Sequence, residues 1–106
     1  MFGALKTLFG GSENSVDLSE LAARGAQIVD VRSPEEFSRG HVDGAVNLPL
    51  QRLEASLSRL RKERPVIVCC ASGIRSAAGK AVLDRAGFPE VADGGPWTSV
   101  ARRLAD

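Results

Sequence analysis

Residues 65–76 read Pro65-Val66-Ile67-Val68-Cys69-Cys70-Ala71-Ser72-Gly73-Ile74-Arg75-Ser76, and an alanine-rich stretch follows as far as Ala86 and Gly87. Val66 to Cys69 is apolar at every position and rich in β-branched residues, the pattern of a strand buried on both faces. The polar turn from Cys70 to Arg75 then leads into a helix over about Ser76 to Ala86, stopped by Gly87. A fully buried strand running through a tight turn into a helix is the unit from which parallel α/β sheets are built. In such sheets ligands sit beyond the carboxyl ends of the strands, and here a cysteine occupies that position.

The flanking sequence repeats the alternation. Asp17 caps a helix carrying Leu18, Leu21 and Ala22, which Gly25 ends. Ile28-Val29-Asp30-Val31 is a second buried strand. Ser33, Pro34 and Glu36 spell a capping box with proline at the first helical position, and Gly40 closes that short helix. Ala45 to Leu48 is a short strand ended by Pro49, and Leu50, Leu53, Leu57 and Leu60 recur at helical spacing. The basic residues Arg59, Arg61, Lys62 and Arg64 near the end of that segment suit the negative pole of a helix and read as a solvated end. Downstream, Val91-Ala92 is a last short strand, Asp93 to Pro96 a turn, and Trp97 to Leu104 a closing helix.

The chain has 106 residues, 43% of them hydrophobic and 25% charged, with 14 Lys and Arg against 13 Asp and Glu for a net charge of +1. A domain of this size buries about two thirds of its unfolded surface, enough for one core without metal or disulfide staples. Gly10-Gly11-Ser12 begins a joint, so residues 1–13 are read as an N-terminal segment and 14–106 as a single domain. Phe2, Leu5, Leu8 and Phe9 have a spacing that suits a docked first helix. Near-neutral charge gives no footprint for nucleic acid. No apolar run is long enough for a membrane span, and no charged leader precedes a long apolar stretch. A cytoplasmic, reducing setting is therefore expected.

Two cysteines exist, and they are adjacent. Neighbouring residues cannot staple distant parts of a fold, and a bond between them strains the backbone, so both are read as chemistry or packing. Two cysteines and one histidine are a ligand short of a zinc site, so neither metal nor cofactor is expected. A turn whose amides converge at a helix start binds anions and stabilises a thiolate. Gly73 permits the tight path, and Arg75 offers a cationic fork. Counted from Cys70 the loop has four residues before Arg75; counted from Cys69 it has five, the spacing of cysteine-dependent phosphatases. Cys69 continues the apolar run and is placed in the core, with Cys70 as the nucleophile.

The ordered set Ile28-Val29-Asp30-Val31-Arg32, Glu36-Phe37, Gly40 to Pro49, Cys70 to Ser76 and Gly87-Phe88 resembles the single-domain rhodanese family over residues 15 to 97. The resemblance implies a five-stranded parallel sheet in order 1-5-4-2-3 with helices on both faces. It also implies a thiosulfate sulfurtransferase that carries sulfane sulfur as a Cys70 persulfide. Ala71, Ser72, Gly73, Ile74 and Arg75 would bind the donor, with Asp30 and Arg32 behind them. The implied partners are a small anionic sulfur donor and a thiol or cyanide acceptor, with a protein as a further acceptor class. Two other readings stay open: a cysteine-dependent phosphatase or arsenate reductase of the same architecture, and a persulfide carrier or sensing module acting on a partner protein. His41 and Trp97 are assigned to turn geometry and core packing.

Overall fold

The computed structural model describes residues 17–105. Residues 1–13, read from sequence as a separate segment, lie outside the described residues. Four strands form one sheet: β1 (Gln27–Asp30), β2 (Val46–Asn47), β3 (Val66–Cys70) and β4 (Val91–Pro96), in order β2-β1-β3-β4 and all parallel. Among the described residues five α-helices accompany them: α1 (Leu18–Ala23), α2 (Pro34–Ser38), α3 (Leu50–Leu53), α4 (Ile74–Arg85) and α5 (Trp97–Leu104).

The five-stranded order 1-5-4-2-3 is therefore corrected to four strands among the described residues. Chain from Asp17 onward enters α1 directly and reaches β1 with no strand between. The four strands present follow the relative order 5-4-2-3 of the expected arrangement.

All five residues of β3 are buried, and the strand pairs with β1 on one side and β4 on the other. Alternation along β3 divides the core. Val66, Val68 and Cys70 join Val29, Val31, Leu48, Leu53, Leu83 and Phe88 on the face covered by α3 and α4. Ile67 and Cys69 join Leu18, Leu21, Val42, Ala92 and Val100 on the face covered by α1 and α5. Helices cover both faces, as a parallel sheet demands. No helix among the described residues is long and apolar enough to cross a membrane.

Local signals place the helix starts well. Asp17 accepts from the Glu20 amide, and Ser33 and Glu36 close a reciprocal capping box with Pro34 in the first turn. Three elements differ from the sequence expectation. The leucine-spaced helix is α3 followed by a 3-10 segment, Glu54–Arg59. Helix α4 begins at Ile74, two residues earlier than expected. Strand β4 runs on through the glycines to Pro96, where a turn was expected, because pairing with Cys69 and Cys70 continues past an irregularity at Val68 and Cys69.

Gly94 lies under α5. A Cβ there would stand 2.6 Å from Val100 Cγ2, 3.1 Å from Ile67 Cγ2 and 3.2 Å from the Val68 carbonyl. Gly94→Ala should accordingly lower unfolding free energy by roughly 1–3 kcal/mol through overpacking. Urea unfolding followed by far-UV circular dichroism measures this, and an unchanged midpoint would contradict the packing of α5 on β4.

Candidate functional site

Cys70 ends β3 opposite Pro96 of β4, and the chain then bends through Ala71, Ser72 and Gly73 into α4. Gly73 is the N-cap of α4 with φ +107, a left-handed conformation that a side chain would strain. Its amide donates to Cys70 Sγ at 2.9 Å, and Ser76, fully buried, donates its hydroxyl to the Gly73 carbonyl at 3.0 Å. The bend is thus pinned at one residue from both directions. An N–H at the positive end of a helix stabilises negative charge on the sulfur it faces.

Burial of Cys70 goes further than the open cradle expected from the loop spacing. The residue has no exposed surface and shares the apolar cluster with Val68 and Leu83. Of the donor-binding candidates, Ala71 and Ser72 are exposed, Gly73 is partly buried, and Ile74 stands 78% exposed. Arg75, expected to face an anion, turns to α2 instead. Its Nη1 and Nη2 donate to Glu36 Oε1 and Oε2 at 2.8 and 3.0 Å. The ion pair and the Ser33 amide hold the Glu36 carboxyl at about 2.

Cys69 lies on the opposite face of β3. Burial pushes its thiol up to about 12, the Asp30 carboxylate adds to that, and Arg32 opposes it. A nucleophile at Cys69 would have to ionise in the core. The phosphatase spacing counted from Cys69 therefore joins a neutral, enclosed thiol to Arg75.

Asp30 and Arg32 form a buried pair: Arg32 Nε lies 2.9 and 3.0 Å from the two carboxylate oxygens and Nη2 lies 2.8 Å from Oδ2. Asp30 is the register partner of Cys69, one residue before the site cysteine. The remaining reach of Arg32 goes to the Gly40 carbonyl at 2.6 Å and to the Trp97 ring, whose centroid is 4.8 Å from Cζ. The pair fastens the end of β1 to the Gly40 turn and to α5. Trp97 also packs on the Val100 cluster. His41 is exposed; its ring stacks on Phe37 at 3.7 Å, and Nδ1 donates to the Phe37 carbonyl at 2.8 Å.

Two contributors escaped the sequence reading. Glu36 was visible as a cap, yet its carboxylate also takes a distant cation: Oε1, which accepts the Ser33 amide, and Oε2 each accept from Arg75. Asn47 donates through Nδ2 to the carbonyls of Asp30 and Arg32 at 3.0 and 2.9 Å, holding the turn after β1. A lone asparagine in a predicted strand was the available signal.

The family model for the rhodanese-like domain matches residues 15–95. The chain is 38% identical over 68 residues to the uncharacterized protein YqhL of Bacillus subtilis, covering 64% of this chain and 54% of that one. It is 39% identical over 75 residues to the thiosulfate sulfurtransferase GlpE of Shewanella oneidensis, covering 69% and 74% of the two chains. The matched region thus spans about half of the first relative's length and three quarters of the second's. Among solved structures, a rhodanese with anions from E. coli superposes with a TM-score of 0.69 at 30% identity, covering 73% of this chain and 93% of that one.

The Cys69 environment has a pH signature. Its folded pKa lies above the roughly 8.5 of an unfolded cysteine, so between these values the unfolded chain binds fewer protons and stability falls as pH rises. Under reducing conditions, wild type should lose up to about 1.4 kcal/mol more per pH unit than Cys69→Ala between roughly pH 9 and 11. Parallel urea midpoints for the two proteins across that range would show the Cys69 thiol to be ordinary.

Proposed function

The chain belongs to the rhodanese-like domain family, and on that premise we propose that it is a sulfurtransferase moving sulfane sulfur through a persulfide on Cys70. The observation that carries this reading is the Gly73 amide, 2.9 Å from Cys70 Sγ at the start of α4. It supports a stabilised thiolate without a general base, metal or cofactor.

In the proposed reaction the Cys70 thiolate attacks the outer sulfur of thiosulfate. A bond forms between Sγ and that sulfur, and the sulfur–sulfur bond of thiosulfate breaks with its electron pair leaving on sulfite. A thiolate or cyanide acceptor then attacks the terminal persulfide sulfur, takes it, and returns the electron pair to Cys70 as thiolate. The amides of residues 71–75 serve the donor anion. Cys70 is enclosed and the bend that follows it is exposed at Ala71 and Ser72, so the donor is taken to approach Sγ from the side of that bend. Asp30 and Arg32 act at a distance, tying the end of β1 to the Gly40 turn and to α5.

Cys70 is preferred to Cys69 as nucleophile because Cys69 faces the other side of the sheet with a thiol pushed up to about 12. The same contrast weighs against phosphate-ester or arsenate chemistry counted from Cys69. A protein acceptor, in an aqueous cytoplasmic setting, remains part of the proposal; the 78% exposed Ile74 beside the bend gives such a partner an apolar contact.

Intact-mass spectrometry after thiosulfate treatment should show one added sulfur on wild type and on Cys69→Ser, and none on Cys70→Ser. The reading is lost if wild type gains no sulfur from thiosulfate or an organic thiosulfonate, or if the adduct survives in Cys70→Ser.

A further inference from the structure

Arg75 and Glu36 are 39 residues apart in sequence and meet through two parallel hydrogen bonds. The arginine sits in the first turn of α4, two residues beyond the amide that faces the sulfur, and its hydrogen bonds to the Glu36 carboxylate hold its guanidinium above the ordinary range. Both terminal nitrogens of its guanidinium are engaged by one carboxylate. That carboxylate is itself fixed, because Glu36 Oε1 also accepts the Ser33 amide at 3.0 Å as the closing half of the α2 capping box. The pair stands at the edge of the site, with the Arg75 side chain 38% and the Glu36 side chain 30% exposed. A bidentate arginine–carboxylate pair in this position is close to electrically neutral when seen by an incoming anion.

We propose that Glu36 is a specificity-determining residue of the cysteine site: by holding Arg75 in a two-pronged ion pair it withholds the guanidinium charge from the sulfur donor. The site is thereby tuned to donors of low charge over the dianion thiosulfate. This rests on the sulfurtransferase reading and adds to it a substrate preference. Glu36 touches neither donor nor sulfur; it acts through Arg75. The backbone amide at Gly73 serves a singly charged and a doubly charged donor alike, whereas an unpaired arginine favours the second in proportion to its charge.

The test compares thiosulfate, a dianion, with benzenethiosulfonate, a monoanion, in steady-state assays of wild type and Glu36→Gln. Glutamine keeps the oxygen that accepts the Ser33 amide and removes the charge that holds Arg75. The variant should show KM for thiosulfate lowered about fivefold and KM for benzenethiosulfonate about twofold, with kcat little changed. The gain should shrink in high salt, since an exposed charge is screened. Equal shifts for the two donors, a raised thiosulfate KM, or a gain indifferent to salt would overturn the proposal. Arg75→Met provides an independent arm should Glu36→Gln fold poorly. If the charge is already withheld, thiosulfate KM moves less than about twofold, whereas a tenfold rise means that Arg75 serves the donor directly. A wild type inert toward both donors defeats the sulfurtransferase reading and this one with it. An active wild type with an unmoved KM ratio defeats this one alone.

Discussion

Complete burial of β3 is the constraint on which the rest of the molecule depends. A strand with no solvent-facing side must be hydrogen-bonded along both edges and covered on both faces, and β1, β4 and the four helices packed above and below meet that demand. The same burial brings the chain to its carboxyl end at one fixed place. There the strand has to turn at once into α4, and Gly73 in its left-handed conformation makes that turn in three residues. The amide presented to Cys70 is a by-product of the shortest path from strand to helix.

Charge around this end of the sheet is arranged in two closed pairs. Asp30 and Arg32 are buried and share four hydrogen bonds, including one from the Arg32 amide. Removing either partner of such a pair leaves the other ionised in the interior, which costs about 3–5 kcal/mol. Glu36 and Arg75 are about one third exposed, so their mutual attraction contributes modestly to stability and chiefly fixes geometry. One pair ties β1 to the Gly40 turn and α5, and the other ties α4 to α2.

Much of this was readable because the signals are local. Apolar runs at Ile28 and Val66, the caps at Asp17 and Ser33, and the cysteine at a strand's end each depend on a few consecutive residues, and the structure has them within a residue or two. Strand β4 was underread because Gly94, Gly95 and Pro96 favour turns, and only pairing with Cys69 and Cys70 keeps them extended. The segment after Leu53 tightens into a 3-10 form that leucine spacing does not distinguish from an α-helix. The fifth strand came from resemblance and has no counterpart from Asp17 onward. The partner of Arg75 lies in another helix, and sequence spacing carries no information about so remote a contact.

Because neighbouring residues of a strand point to opposite sides, the two sulfurs are adjacent in the chain and separated by the sheet itself. Cys69 is consequently no safeguard for Cys70. A sulfenic acid formed on Cys70 has no intramolecular thiol within reach to condense with, short of undoing the strand. Reduction of such a species would fall to a thiol from outside the chain.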